Sequence, residues 1–205
     1  MEVSMKTLRN SLIFLVVMGL IAFINVLVHE FGHCITIDKV GGKCGGVYVM
    51  PGVKVWPLAA FGEPYSGTWG KSIGRTAYDQ GAPTVQAGGL ASVMGSGSVA
   101  ALSLLALVSL YVFRPQGWAR FPLLAQSLMF LDLLFYVILP HWFGLRHLFI
   151  IGGASPEPLM GAIEMGVDES TFIIGVLIYS ASMTIGCVNY VWRSAKSLPI
   201  QAKQK

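Results

Sequence analysis

Long apolar runs alternate with polar stretches along the chain, and four of the runs reach the length of about 20 residues that a helix needs to cross a hydrocarbon core. They cover residues 10–37, 88–113, 118–140 and 171–192. The first holds no charged side chain between Ser11 and Val28. The second opens on Gly-Gly-Leu-Ala-Ser-Val-Met-Gly-Ser-Gly-Ser, and small residues let neighbouring backbones approach, so its first half is expected to pack against another helix. The third contains the acid Asp132, and the fourth ends on Arg193 and Lys196.

The polar stretch 38–86 has a different pattern. Val47-Tyr48-Val49-Met50 and Val53-Lys54-Val55-Trp56 flank Pro51-Gly52, which predicts a β-hairpin. The remainder is rich in Gly, Pro and Ser and is expected to be irregular. Open strand edges cannot face lipid, so this segment belongs at the interface or in a helix-enclosed cavity. An edge strand there has two readings, a pairing surface for an extended peptide or a plain connector. Between the third and fourth runs, Ser155 reads as an N-cap, Pro156 as the first helical residue and Glu157 as a first-turn acid of a short helix ending near Gly166. The expected fold class is an all-α integral membrane protein, a single domain over residues 1–205 with about four transmembrane helices and a small hairpin insertion after the first.

Composition agrees: of 205 residues, 54% are hydrophobic and only 12% charged, which argues against a soluble domain and for a multi-pass protein of the cell membrane. The net charge of +4 is spread over loops and termini with no basic stripe, implying contact with anionic lipid headgroups and not with nucleic acid. Lys6 and Arg9 precede the first run as in a secretion signal. That run is longer than a signal's apolar region, lacks a small-x-small cleavage site and continues into the residues of chemical interest, so it is read as a retained helix. Lys and Arg lean slightly toward the side of both termini, which favours a cytoplasmic location for that side. Cys34, Cys44 and Cys187 have no C-x-x-C spacing, so neither a disulfide framework nor a cysteine metal site is expected, and Cys34 is read as a buried thiol.

Candidate chemistry concentrates in His29-Glu30-Phe31-Gly32-His33, near the end of the first run. Helix positions four apart share a face, so His29 and His33 can bind one Zn²⁺, with Glu30 placed to deprotonate a water. Ionisable groups are costly inside a membrane helix, which makes a functional site the default reading over a polar patch. Gly32 would admit another backbone close to the metal. Asn25, one turn earlier, either orients a ligand or bonds across helices. His29 stands nine residues before Asp38, roughly 13 Å along the axis from the polar loop, so water must reach it through a protein-lined cavity.

A catalytic zinc usually takes three protein ligands. The continuation G-x-x-H of the metzincins is absent, because Thr36 and Lys39 occupy its Gly and His positions. His141 and His147 fall in a loop and read as interfacial. Asp132 is the first choice for the third ligand, with an interhelical hydrogen bond as its alternative role. Glu157 is the rival, with complementation of the helix dipole as its own alternative.

A membrane-embedded H-E-x-x-H, a following hairpin, a Gly-rich helix start at Ala87-Gly88-Gly89 and a later intramembrane carboxylate resemble the site-2 protease family of intramembrane zinc metalloproteases, peptidase family M50, over about residues 10–170. The resemblance implies His29 and His33 as zinc ligands, Glu30 as general base, and a transmembrane protein as substrate. Val-Ile-Leu-Pro, ending at Pro140, stands where the family carries N-x-x-P, with Val137 at the Asn position, and the chain has no Asp-Gly pair, so it reads as a divergent member. On that alignment the carboxylate after the proline is Glu157. The family's metal lies toward the cytosol, which would put both termini outside, against the charge bias. The alternative function is a catalytically inactive, protease-like membrane protein that keeps the site for metal binding or scaffolding. A metal carrier fits less well, because the chain lacks further intramembrane His or Cys relays.

Overall fold

A computed structural model describes residues 5–70, 72–147 and 153–196; Lys71, the apolar piece 148–151 with Gly152, and the terminal Lys203 and Lys205 lie outside the described residues. The order of elements is α1 (Met5–Lys39), β1 (Lys43–Val49), β2 (Val53–Trp56), β3 (Gly74–Gln80), α2 (Val85–Phe113), α3 (Arg120–Ser127), α4 (Leu131–Phe143), α5 (Glu157–Glu164) and α6 (Glu169–Lys196). The chain is mostly helical, and among the described residues four helical stretches are long and apolar enough to cross a membrane: Thr7–Lys39, Val85–Phe113, Gly117–Phe143 and Glu169–Lys196. The third is not one regular helix. α3 and α4 are joined by a 3-10 turn at Leu128–Phe130, and Pro140 stands inside α4.

Of the four, α2 is the central one: 44% of its most apolar window is buried, against 11% in α1. Thr84 caps it by accepting the Ala87 N–H at its side chain, 3.1 Å away. One core cluster joins Leu107 and Leu110 of α2 to Phe130 and to Met183, Cys187 and Tyr190 of α6. A second joins Val137 of α4, Leu159 of α5 and Ile173 and Val176 of α6. Asn25 bonds across helices: its amide and that of Gln126 in α3 exchange two hydrogen bonds of 2.9 and 3.0 Å.

The polar stretch after α1 departs from expectation in two ways. The hairpin forms with Tyr48 opposite Lys54 and Val49 opposite Val53, but Gly74–Gln80 adds a third strand to give the order β2-β1-β3. The element is thus a three-stranded sheet and not a hairpin alone. β3 carries only a short β-favouring stretch, Thr76-Ala77-Tyr78, and pairs with β1 across more than twenty intervening residues, so no local pattern announces it. The second departure is a disulfide between Cys34 and Cys44, with Cα atoms 5.2 Å apart, where free thiols were expected. α1 ends in a Schellman turn, with Gly41 at φ 92° and the Gly42 N–H on the Ile37 carbonyl at 2.9 Å, and this reversal brings Cys44 back beside Cys34. The sheet is thereby fastened to the end of α1 that carries the motif.

Glycine sets how closely α1 and α2 approach. A Cβ at Gly32 would collide with the backbone carbonyl of Met94 and lie 2.6 Å from Ser98 Oγ, whereas a Cβ at Gly19 would meet nothing within 4 Å. Gly32→Leu is therefore expected to lower unfolding stability in detergent by roughly 2 kcal/mol or more, as overpacking does, with Gly19→Leu near neutral. Thermal unfolding of the two variants side by side measures this, and equal midpoints would contradict the packing argument.

Candidate metal centre

His29 and His33 lie one turn apart on α1, with ring centroids 4.8 Å apart, and both are largely shielded from solvent. The His33 Nδ1 is 2.7 Å from the Ala91 carbonyl of α2, which only accepts, so Nδ1 carries a proton and Nε2 is the nitrogen turned away from that contact. The His29 Nδ1 faces the Asp132 carboxylate of α4, Oδ2 at 3.6 Å, which favours the same tautomer. Both Nε2 atoms converge on Gly95 of α2. A Cβ there would clash with His33 Nε2 and come within 2.7 Å of His29 Nε2, so the missing side chain leaves the space in front of the two nitrogens.

Glu157 closes this space. Its Oε1 stands 3.8 Å from His33 Nε2, and donor atoms of His29, His33 and Glu157 all lie within 4.8 Å of one another. Three donors on one tetrahedral ion at about 2.1 Å sit about 3.4 Å apart, so this trio can hold a metal ion with small side-chain adjustments. Asp132, the first choice from sequence, lies outside the trio and behind His29, in the position of a carboxylate that orients a ligating imidazole. The physical reason is the seating of α5 on α2. Gly89 and Gly161 contact backbone to backbone, a Cβ on either being blocked by the other's carbonyl. Glu157 is one turn before Gly161 on the same face of α5, so this contact carries it over the imidazoles. Ser155 does not cap α5 as expected; Pro156 holds the cap position and Glu157 is the first helical residue.

Two further groups complete the surroundings. The Tyr136 hydroxyl donates to Glu157 Oε2 at 3.1 Å, while its ring stacks on His29 at 5.4 Å and on His147 at 3.8 Å. His147 is buried; its Nε2 accepts the Gly153 N–H at 2.9 Å, and burial holds its pKa below the ordinary histidine value. His141 is the more open of the two and pairs with Glu169 at 3.2 Å. Glu30 is buried, and its Oε2 lies 2.8 Å from Thr76 Oγ1 on β3. The same hydroxyl is 2.8 Å from the Glu30 carbonyl, so its proton is shared between them. Gly74 lets β3 come this near, since a Cβ there would fall 2.7 Å from Glu30 Oε1.

Sequence reading found both histidines, Glu30 and the two rival carboxylates. It missed Thr76, for which no local signal exists because β3 is recruited from 46 residues away. Tyr136 carried a readable signal: it lies one helical turn after Asp132 and shares its face.

Zinc measured in purified variants separates the two carboxylates. Glu157→Ala is expected to lose the metal, whereas Asp132→Ala keeps the three donors and binds about 10- to 100-fold more weakly, as loss of an orienting partner does. The reverse order would move the third ligand to Asp132.

No protein-family model, curated protein or solved structure matches this chain.

Proposed function

We propose that the chain is a membrane-embedded zinc metalloprotease of the site-2 protease type, cleaving peptide bonds in or near transmembrane segments of other membrane proteins. The observation that carries this reading is the convergence of His29, His33 and Glu157 beside a separate carboxylate, Glu30, that the third strand holds in place. Three donors leave a tetrahedral ion one open position, the arrangement of catalytic and not structural zinc. Four apolar helices around the site support a bilayer location.

Zinc bound there would supply Lewis acidity, acidifying a water and polarising a peptide carbonyl. The chain's own residues do the rest. Glu30 accepts the proton of the attacking water and returns it to the leaving amine. Thr76 fixes which Glu30 oxygen is free, since it engages Oε2 and leaves Oε1 unbonded by that hydroxyl. Tyr136 engages Glu157 Oε2 and leaves Oε1 turned toward His33. The Ala91 carbonyl holds His33 in the tautomer that presents Nε2, and the Asp132 carboxylate faces Nδ1 of His29. A helical substrate hides its carbonyls, so the scissile segment must unwind, and a lipid-exposed site could not offer the water that hydrolysis consumes.

Glu30→Gln is expected to keep stoichiometric zinc and to lower cleavage of a transmembrane reporter at least 100-fold, the scale of lost proton transfer. Zinc retained with undiminished cleavage would sink the mechanism. Zinc retained in the unaltered chain, with no cleavage across a panel of transmembrane segments, would favour a binding or scaffolding module. Thr76→Val is expected to slow cleavage about tenfold without loss of zinc, because it frees the base without touching a ligand; zinc content and turnover measured on one preparation check this.

A further inference from the structure

At the end of the bundle away from the imidazoles, a cavity of about 620 Å³ opens between the C-terminal ends of α2 and α6 and the start of α3. Its wall carries Arg114, Arg120 and Arg193, with Tyr111 and Tyr190 between them. None of the three arginines forms an ion pair with a carboxylate among the described residues. No acid stands between Asp79 and Asp132 or after Glu169, so the sequence places no counter-charge on these segments. Arg193 Nε donates to the neutral Asn189 at 3.1 Å.

Helix dipoles do not account for this cluster. They favour cations at the ends of α2 and α6, but Arg120 is the first residue of α3, where a cation is disfavoured. Arg114 is the one non-glycine residue with positive φ among the described residues, at 47° in the left-handed region, where Gly or Asn is usual. An arginine kept in that conformation points to a use for its charge. The surroundings say what kind of anion. Trp118 and Trp192 are exposed at this end, as in the aromatic belt of a membrane interface, and Val112 and Phe113 present apolar surface beside the cavity.

We infer that this cavity binds the phosphate of an anionic phospholipid headgroup through Arg114, Arg120 and Arg193. The inference rests on the reading that the four helices cross a bilayer. Arginines at a membrane interface attract anionic lipid headgroups.

The test uses the full chain purified in a neutral detergent. Thermal unfolding and native mass spectrometry follow the addition of phosphatidylglycerol, phosphatidylcholine or inorganic phosphate. Phosphatidylglycerol is expected to be retained and to raise the midpoint, and phosphatidylcholine is not. Arg120→Gln and Arg193→Gln should each weaken phosphatidylglycerol binding about fivefold. Arg114→Asn is the sharper variant: Asn adopts the left-handed conformation readily, so lipid-free stability should hold or rise while the lipid binds more weakly. Equal effects of the two lipids, or binding undiminished when all three arginines are replaced, overturn the site. Protection by inorganic phosphate as strong as by phosphatidylglycerol overturns the lipid source and leaves a site for a soluble anion. Alkaline carbonate extraction of native membranes tests the premise separately. Release of the chain removes the membrane reading, whereas a retained chain without lipid preference removes this site alone.

Discussion

Close backbone approach along two faces of α2 is the constraint on which the rest of the structure depends. On one face, Gly32 of α1 sits against the Met94 carbonyl; on the adjoining face, Gly161 of α5 sits against Gly89. Side chains at these points would hold the helices apart by more than the reach of a metal ion. Because they are glycines, His29 and His33 arrive from one direction and Glu157 from another, and Gly95 leaves the space between them open. Small residues at such contacts let helices associate through close van der Waals packing. The packing that holds the bundle together is therefore also what assembles the site.

Around the three donors, the two imidazoles, Glu157 and Glu30 each have a polar neighbour on a different element. Ala91 of α2 and Asp132 of α4 face the imidazoles, Tyr136 of α4 bonds Glu157, and Thr76 of β3 bonds Glu30. Buried ionisable groups are costly unless paired, and this arrangement offsets that cost while fixing geometry. It also explains why a sheet accompanies an otherwise helical chain. α1 alone presents Glu30 and the two imidazoles but offers no hydroxyl to Glu30, and the strand supplies one from outside the helical layer.

The two ends of the bundle differ in chemistry. The motif end carries the sheet, the disulfide and most of the described acids, whereas the other end carries Arg114, Arg120 and Arg193, which pair with no described carboxylate. Such asymmetry orients a chain in a membrane and gives each leaflet a different surface to meet.

By itself the sequence determined the four apolar runs, the hairpin pairing of β1 with β2 and the motif residues His29, Glu30 and His33, because helix and strand periodicity and the i, i+4 spacing are local properties of the chain. Small residues near Gly89 and Gly95 foretold close packing, and Gly32 foretold a near backbone, since a missing Cβ is visible in any register. Only the tertiary structure gathered Glu157, and not Asp132, with the two imidazoles, added β3 with Thr76, joined Cys34 to Cys44 and buried His147 against Tyr136. Each of these depends on which faces meet across long separations in sequence. No local pattern encodes that choice, because the relative placement of α1, α2 and α5 is set by interhelical contacts and not by the propensities of the segments themselves.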